Sequence, residues 1–375
     1  MERKPTRELR RGWTTGTCAA AGAASACHAL LAGSFLDPVP VRLPGGGRPC
    51  FALSLAERAA DGAAARAGIV KDAGDDPDVT HGALIVTEVA RGAPGSGLVF
   101  RAGPGVGTVT RPGLPLAVGE PAINPGPRAI IADALADTAA ACGAPWPLDL
   151  AVTVSVPGGE ALAAKTLNGR LGIVGGLSIL GTTGIVVPYS CSAWVHSIHR
   201  GIDVARAAEL EHIAGATGST SEAAVQRLHG LPEIALIDMG DFIGGMLKYL
   251  RRHPVPRLTV AGGFAKLAKL ADGALDLHSG RSRVDLPGLA ARLAALGAPA
   301  ETVAAARQAG GAGEVLTLAA AADPGLAAAL ARQIAARACE VTLAALADGA
   351  SGSGRSAVDV AVFDRAGTLL AQAGP

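Results

Sequence analysis

The chain has 375 residues, a formal net charge of +1 and 49% hydrophobic residues, with 51 glycines and only 3% aromatic residues. This composition excludes an intrinsically disordered chain, which requires low hydrophobicity and high net charge. Balanced charge and few aromatic side chains also argue against a nucleic-acid partner, because basic patches and stacking surfaces are what such partners bind. The length suits about two domains.

The first half of the chain predicts an irregular mixture of strands and helices. Residues Gly12 to Gly33 read as a loop followed by an alanine-rich helix, with Thr14, Thr15 or Thr17 as its cap. Short strands are predicted next, at Val39–Leu43, Phe51–Leu55, Ile69-Val70, Ala83–Val89 and Leu98–Arg101. A glycine loop, a helix and a hairpin then follow, at Gly103–Gly107, Arg128 to Ala141, and Leu148–Val156 with Ala161–Leu167. The pattern indicates an α+β domain over residues 1–190.

The second half, residues 191–375, predicts a Rossmann-like α/β domain. Strand, helix, strand and helix alternate at Glu233–Ile237, Phe242–Arg251, Arg257–Ala261 and Phe264–Ala271, the spacing of a right-handed parallel unit. Alanine-rich helices, a loop and a closing hairpin are predicted beyond it, at 286–346, Ser351–Gly354, and Val358–Phe363 with Thr368–Ala371. The predicted fold is therefore a mixed α/β and α+β protein of two domains.

The cysteines and the uncharged stretches bear on the compartment. The six cysteines are scattered without a CxxC pair, which favours a reducing cytoplasm over a disulfide scaffold. Trp13–Leu36 and Leu171–Trp194 lack Asp, Glu, Lys and Arg, but the first is mostly alanine and the second is diluted by glycine and Pro188. Neither stretch is apolar enough for a secretory leader or for a helix that spans a bilayer, so we predict no membrane partner.

Two motifs suggest ligands but have better structural explanations. Gly159–Thr166 is one residue short of a phosphate-binding P-loop, which needs glycine where Ala164 stands, and we interpret it as part of the hairpin. His196 and His199 have the i, i+3 spacing of a helical metal clamp but lack an identifiable third ligand. We predict no protein-bound metal.

Three further segments leave the functional and structural interpretations open. The glycines at 103, 105 and 107 could approach a ligand or simply form a turn. Lys71–His81 holds four aspartates, whose mutual repulsion requires donors or cations nearby if the loop is ordered. Gly175–Pro188 carries glycines and hydroxyls without charge, which suits either an anion site or a buried turn.

Together these segments resemble the cobalt-precorrin-5B C(1)-methyltransferase family of the oxygen-independent route to cobalamin. The opening GWTTGTCAAA resembles the family's GYTTGTCAAA, and the resemblance continues in the same order through five further segments. They are KDAGDDPDVTHG at Lys71–Gly82, Gly103–Leu114, GEPAINPGPR at Gly119–Arg128, LNGRLGIVGGLSILGTTGIVV at Leu167–Val187, and His278-Ser279. Trp13 replaces the usual tyrosine, and Val187 stands at a commonly acidic position.

The resemblance implies an S-adenosylmethionine-dependent C-methyltransferase. It would methylate carbon 1 of cobalt-precorrin-5B, a small-molecule corrin precursor, to give cobalt-precorrin-6A and S-adenosylhomocysteine. Cobalt would arrive only as part of the substrate. The family joins an α+β domain to an α/β domain, in agreement with the division above. The oligomeric state stays open, since a glycine- and alanine-rich surface could pack a homodimer but composition does not choose.

The matched segments supply the candidate residues. We expect substrate carboxylates at the helix start and from arginine and hydroxyl donors, namely Thr14, Thr15, Gly16, Thr17, Arg128, Arg170, Thr182 and Thr183. We expect the cofactor at acidic and glycine positions, namely Asp75, Asp76, Gly105, Gly107, Glu120, Asn124, Asp238 and Gly262. Gly240, Asp241 and Gly263 are secondary cofactor candidates, because ligands sit at the carboxyl ends of parallel strands. His81 and His278 are the candidates for contact with the reacting ring.

Two other functions fit parts of the sequence. A nucleotide-dependent phosphotransferase would use the glycine loops for phosphates and the acidic cluster for magnesium, although the P-loop glycine is missing. A non-enzymatic corrinoid carrier would bind the tetrapyrrole without methylating it. Methyl transfer from labelled S-adenosylmethionine distinguishes the three functions.

Overall fold

The computed structural model of the chain describes residues 8–347 and 356–375 and shows a mixed α/β architecture. Backbone contacts divide the chain into two units, Met1–Ser190 and Cys191–Pro375. In the described ranges no helix is both long enough and apolar enough to cross a bilayer. The predicted loop Ser351–Gly354 lies outside the described residues.

The first unit is built on a five-stranded sheet. Its helices are α1 (Thr15–Ala32), α2 (Pro125–Ala141) and α3 (Gly159–Ala163). Its strands are β1 (Gly12–Trp13), β2 (Val39–Pro40), β3 (Cys50–Phe51), β4 (Leu55–Arg58), β5 (Ala64–Val70), β6 (Leu84–Arg91), β7 (Leu98–Ala102), β8 (Gly105–Val106), β9 (Thr108–Val109), β10 (Leu150–Ser155), β11 (Ile173–Val174), β12 (Gly176–Leu177) and β13 (Ile185–Val186). The sheet has the order β4-β5-β6-β10-β7, antiparallel except for the parallel pair of β10 and β7.

Helix α1 lies between this sheet and α2, and 15 of its 18 residues are buried. Alanine and glycine allow this close approach: a Cβ at Gly22 would come within 2.9 Å of the carbonyl oxygen of Ala67 in β5. The predicted threonine cap is confirmed as Thr14, and Gly33 ends the helix with a φ of +84°. The second predicted helix begins earlier than expected, at Pro125, where a missing N–H costs nothing.

The predicted hairpin of Leu148–Val156 with Ala161–Leu167 is wrong. Strand β10 lies inside the sheet, between β6 and β7, and residues Gly159–Ala163 form the short helix α3. Gly158 turns the chain with a φ of +75°, and the alanines that follow favour a helix over a strand. A helix also occupies the residues that would have to wrap a phosphate in a P-loop.

The second unit is built on a sheet with four parallel strands and one antiparallel edge. Its strands are β14 (His212–Ala216), β15 (Leu236–Asp238), β16 (Arg257–Gly263), β17 (Ala357–Phe363) and β18 (Leu369–Ala373), in the order β15-β14-β16-β17-β18. Its α-helices are α4 (Cys191–Ala207), α5 (Ser219–His229), α6 (Ile243–Leu250), α7 (Phe264–Ala271), α8 (Leu286–Ala295), α9 (Ala300–Arg307), α10 (Ala312–Ala322) and α11 (Pro324–Ala347). The closing hairpin is confirmed, since β17 and β18 pair antiparallel.

Helices cover both faces of this second sheet. Leu258 and Val260 belong to the larger core, with residues of α4, α6, α7 and α11, whereas Ala261 belongs to a smaller core with α5. The two predicted parallel strands are in the sheet, but β14 separates them. Strand β14 was not predicted, because its HIAGA sequence has only one β-branched residue, Ile213, and its last three residues are small. Residues Glu233–Ala235, predicted as strand, form a 3₁₀ turn before β15.

Candidate functional site

The start of helix α1 is the centre of the predicted substrate site. The Thr14 hydroxyl accepts the N–H of Thr17 at 3.2 Å, and the Thr17 hydroxyl donates to the carbonyl of Gly184 at 2.8 Å. The N–H of Gly16 donates to the carbonyl of Leu180 at 3.1 Å, and Thr15 is buried. These donors, which the sequence analysis assigned to an anion, are therefore used to join α1 to the loop at residues 180–184.

The same loop also meets the start of α2. The N–H of Asn124 donates to the carbonyl of Ile179 at 3.1 Å, and a Cβ at Gly126 would lie 2.9 Å from the carbonyl oxygen of Gly181. Asn124 occupies the N-cap position of α2 without a side-chain cap hydrogen bond, and Thr182 and Thr183 are exposed. The structure thus brings Asn124 and the two threonines to one surface beside the starts of both helices.

The acidic loop at Lys71–His81 lies next to this surface through backbone contacts. Trp13 of β1 donates its N–H to the carbonyl of Asp72 at 2.7 Å. Strand β1 also pairs with β13, which directly follows the loop at residues 180–184. A Cβ at Gly12 would come within 2.0 Å of the carbonyl carbon of Ala73, so only glycine permits this approach. Three segments separated in sequence therefore meet in the first unit.

The four aspartates of this loop each have a donor of their own, as their mutual repulsion required. Asp72 pairs with the guanidinium of Arg10, and Asp78 pairs with Lys71 at 2.6 Å. The remaining two accept backbone N–H groups: Asp75 from Arg10 at 2.6 Å and Asp76 from Tyr189 at 2.9 Å. His81 is exposed and accepts the N–H of Ala73 on Nδ1 at 3.1 Å.

The contact with Arg10 gives Asp72 an unusually acidic side chain. Hydrogen bonds from the Arg10 guanidinium and from the N–H of Gly74 lower the pKa of Asp72 from 3.8 to about 2. Because the folded pKa lies below the ordinary value, the contact stabilises the fold above pH 3.8 and is lost as the pH falls through about 2.

Replacing Arg10 with glutamine should therefore raise the pKa of Asp72 most of the way back to 3.8. Carboxyl ¹³C NMR of protein labelled at aspartate measures the midpoint directly. An unchanged midpoint in Arg10→Gln would show that the N–H of Gly74, and not the guanidinium, determines the acidity.

Two residues with different predicted roles form one ion pair. Arg128, a predicted carboxylate clamp, and Glu120, a predicted cofactor ligand, lie 2.6 Å apart. Arg128 also donates to the carbonyl of Ile123 at 2.8 Å, and its guanidinium stands 5.3 Å from the centre of the Phe100 ring. The pair fixes the loop before α2. Arg170, the other predicted clamp, is half-buried in the turn before β11.

The predicted cofactor glycines of the first unit are buried in backbone packing. Gly105 has a φ of +76°, and a Cβ there would lie 1.8 Å from the carbonyl oxygen of Val156. A Cβ at Gly107 would lie 2.5 Å from Ile173, and Gly176 of β12 pairs with Gly105 of β8. Close packing of the chain against itself explains these glycines, which the sequence alone left open between a ligand loop and a turn.

The remaining cofactor candidates lie at the carboxyl ends of the strands of the second sheet. Asp238 ends β15, and Gly262, near the end of β16, would place a Cβ 3.0 Å from Thr217, which follows β14. The indole of Trp194 donates to the carbonyl of Asp238 at 3.2 Å. The sheet thus brings Asp238 and Gly262 to one edge, together with Thr217 and Trp194, which the sequence analysis did not single out.

Asp241 has an unusual position at the same edge. Its Oδ1 atom is buried and lacks a hydrogen bond among the described residues. Lys266 Nζ lies 3.1 Å from this oxygen and forms an ion pair with it, and the same ammonium donates a hydrogen bond to the carbonyl of Thr217 at 2.7 Å. An oxygen that has an ion pair but no hydrogen bond can still accept one from a bound ligand that carries a hydroxyl or ammonium group.

His278 stands beside Asp241 in the second unit, while His81 belongs to the first. The N–H of Leu277 donates to the backbone carbonyl of Asp241 at 2.9 Å. His278 itself is exposed, and its Nδ1 accepts the N–H of Gly280 at 3.1 Å. This geometry leaves the Nε2 edge of His278 free of those backbone contacts. From the sequence, only the family resemblance points to His278 as a functional residue.

Comparison with known proteins gives the class of this chain. A family described as CbiD matches residues 2–188, and the family described as CbiD, C-terminal domain, matches residues 276–374. A Paramagnetospirillum magneticum protein named Cobalt-precorrin-5B C(1)-methyltransferase is 65% identical over 310 residues, covering 83% of this chain and 86% of that protein. A protein of the same name from Methylorubrum extorquens is 58% identical over 366 residues, covering 98% of each.

A solved structure is also similar. The crystal structure of a cobalamin biosynthesis protein (cbiD) from Archaeoglobus fulgidus is 29% identical, covers 73% of this chain and 83% of that one, and has a TM-score of 0.39. By fold, the chain is a mixed α/β protein, and its relatives at 58% and 65% identity are named as methyltransferases. On the sequence matches, the chain belongs to the CbiD family.

Proposed function

We propose that this protein is a cobalt-precorrin-5B C(1)-methyltransferase of cobalamin biosynthesis. The observation that carries the proposal is 58% identity over 366 residues, nearly the whole chain, to a relative of that name. The methyl donor is S-adenosylmethionine, and the products are cobalt-precorrin-6A and S-adenosylhomocysteine. Cobalt enters as part of the substrate.

The second unit is a Rossmann-like domain that binds the cofactor. Four parallel strands with helices on both faces support this, and the strand order reverses between β14 and β16. Ligands of such sheets bind outside the carboxyl ends of the strands at the point of reversal. Thr217 follows β14 at that point, and Gly263 ends β16, where α7 begins without a side-chain cap.

Asp241 provides the specific contact to the cofactor. Its buried Oδ1, which has an ion pair with Lys266 but no hydrogen bond among the described residues, suits the ribose hydroxyls or the amino group of S-adenosylmethionine, both of which donate hydrogen bonds. Asp75, Asp76 and Glu120 fit this role less well, because each already accepts a hydrogen bond within the first unit. We therefore assign the cofactor to the second unit, with Asp238 and Gly262 at the same edge.

The first unit supplies contacts to the substrate. Corrin precursors carry many carboxylates, which hydroxyl, amide and guanidinium donors bind. Thr182, Thr183 and Asn124 form an exposed or half-exposed polar surface, and Arg170 precedes the neighbouring strand β11. Thr14 and Thr17 act indirectly, by holding the loop that carries the two exposed threonines.

The reaction itself demands alignment more than acid–base chemistry. Carbon 1 of the macrocycle attacks the sulfonium methyl, the methyl–sulfur bond breaks, and its electron pair goes to sulfur. An enzyme promotes this step by holding carbon, methyl and sulfur in line at about 3–3.5 Å. His81 and His278, with imidazole edges available for hydrogen bonding, are proposed to contact polar groups of the ring.

The deciding experiment incubates the full chain with cobalt-precorrin-5B and S-adenosylmethionine labelled at the methyl group. We expect a corrin product heavier by one labelled methyl, together with S-adenosylhomocysteine, by mass spectrometry. Tight binding of the corrin without label transfer would instead identify a carrier. Stabilisation by ATP with no methyl transfer would favour a phosphotransferase.

Replacing Asp241 with asparagine should weaken S-adenosylhomocysteine binding about tenfold or more, because a hydrogen bond to a charged group is worth about 1.5–3 kcal/mol. Isothermal titration calorimetry measures the dissociation constant. Asp75→Asn is the matched control, since its carboxylate accepts a backbone N–H of Arg10 in the first unit. Equal affinities for Asp241→Asn and the wild type would remove Asp241 from the cofactor site.

A further inference from the structure

Four polar side chains from four elements meet inside the second unit. His212 begins β14, His229 ends α5, and Thr259 and Asp359 lie on β16 and β17. Thr259 and Asp359 are register partners on the face that packs against α5, near the amino ends of the parallel strands. The carboxyl edge with Asp241 is at the opposite end of this sheet, so the methyl-transfer proposal makes no use of this cluster.

The cluster is buried and its distances are short. Asp359 is completely buried, and the side chain of His229 is only 13% exposed. His229 Nε2 lies 3.5 Å from Asp359 Oδ2, and both surround the Thr259 hydroxyl, at 3.4 and 2.9 Å. His212 Nε2 lies 2.7 Å from the same hydroxyl. One ligand atom from each histidine and from Asp359 all fall within 4.8 Å of one another.

We propose that His212, His229 and Asp359 bind a divalent transition metal, with zinc(II) the best match. Two imidazoles and a carboxylate are a zinc donor set, and tetrahedral zinc with bonds of about 2.0–2.1 Å holds its ligand atoms about 3.4 Å apart. The separation of 3.5 Å between His229 Nε2 and Asp359 Oδ2 already has this value. His212, whose ligand nitrogen lies within 4.8 Å of the other two ligand atoms, must move closer to them, and the Thr259 hydroxyl lies beside the fourth position.

Two side chains outside the proposed ligand set hold the Asp359 carboxylate in place through hydrogen bonds. Arg257 Nε donates to Asp359 Oδ1 at 3.0 Å, and Gln372 Nε2 donates to Oδ2 at 3.0 Å. Such partners orient a metal-binding carboxylate. The Arg257 charge also opposes a cation, so zinc binds here more weakly than in a structural site without a neighbouring arginine. The bound ion would join β14, β16, β17 and the end of α5.

The test uses the full chain, stripped of metal and titrated with zinc(II), with cobalt(II) as a spectroscopic probe. We expect one zinc per chain by calorimetry, tetrahedral cobalt absorption in the visible, and a rise in Tm of about 5–10 °C at a hundredfold excess over Kd. His212→Gln and His229→Gln should each lose the cobalt spectrum. His196→Gln, in the helical pair of α4 that has no third metal-binding side chain within reach among the described residues, should retain it.

Arg257→Gln provides a second, opposite test. Removing the opposing charge should tighten zinc binding on the order of tenfold, while glutamine can still donate to Asp359. A cluster that is only a hydrogen-bond network would give no such gain. The proposal is overturned if the folded wild type binds no zinc and gives no tetrahedral cobalt spectrum, or if His196→Gln loses binding as the cluster variants do.

Discussion

Replacing Lys71 with methionine is expected to destabilise the first unit by about 3 kcal/mol, at the lower end of the range for breaking a buried ion pair. The Lys71 side chain is 1% exposed, and its ammonium lies 2.6 Å from Asp78 Oδ2. Burial raises the pKa of Asp78, but the Lys71 charge and the Thr80 donors outweigh it, so the pKa lies below 3.8. Methionine is unbranched and only one atom shorter than lysine, and it leaves the Asp78 carboxylate without its cation.

Urea unfolding of Lys71→Met near neutral pH measures this loss. The double variant Lys71→Met with Asp78→Asn should recover most of the stability, because no buried charge is then left unpaired. Arg42→Met is the control: its partner Asp137 is 47% exposed, and such surface pairs contribute at most about 1 kcal/mol. The difference from the wild type should shrink as the pH falls below 3.8. Equal losses for Lys71→Met and Arg42→Met would contradict the argument.

Gly105→Ala is expected to cost more than about 4 kcal/mol and to prevent stable folding of the first unit. Gly105 has a φ of +76°, and its new methyl group would lie 1.8 Å from the carbonyl oxygen of Val156. Neither group can retreat, because the methyl is fixed to the backbone of β8, which pairs with β12, and the Val156 carbonyl is backbone that accepts the N–H of Gly159 at 2.7 Å. The expected result is a chain that is insoluble or unfolds at much lower urea concentration.

Gly158→Ala separates the two causes of this cost. Gly158 has nearly the same φ, +75°, but nothing lies within 4 Å of the added methyl. Its cost should be limited to the left-handed backbone, about 1–2 kcal/mol. A folded Gly105→Ala protein that fails only to bind S-adenosylhomocysteine would contradict the packing explanation and restore the ligand role that the sequence had suggested.

The sequence predicted correctly those elements that depend on interactions between residues close together along the chain. The Thr14 cap, the alanine helix behind it and the hairpin of β17 and β18 follow from cap chemistry and turn residues. The interior strand β10 was mistaken for a hairpin arm, because neighbouring apolar segments say nothing about which strands pair. Strand β14 has small residues and becomes a strand through its two parallel neighbours.

The candidate site was likewise predicted only in part from the sequence. Family resemblance selected the segments at Thr14, Asp72 and Thr182 that the first unit brings together. It did not separate side chains that hold the fold, such as Arg128 with Glu120, from those with free polar atoms. That distinction depends on hydrogen bonds between residues far apart in sequence. The cluster of His212, His229 and Asp359 gave no signal, because up to 147 residues separate its members along the chain.

The burial of α1 on nearly all sides has a consequence for how the protein is made. Residues 15–32 leave the ribosome before their packing partners β5, β6 and α2 have been synthesised. Most side chains of α1 are small and become buried only against the sheet and α2, so the nascent helix cannot bury them by itself. The core of the first unit can therefore be completed only after α2 has been synthesised, and a chain that begins after residue 33 would be left without the centre of that core.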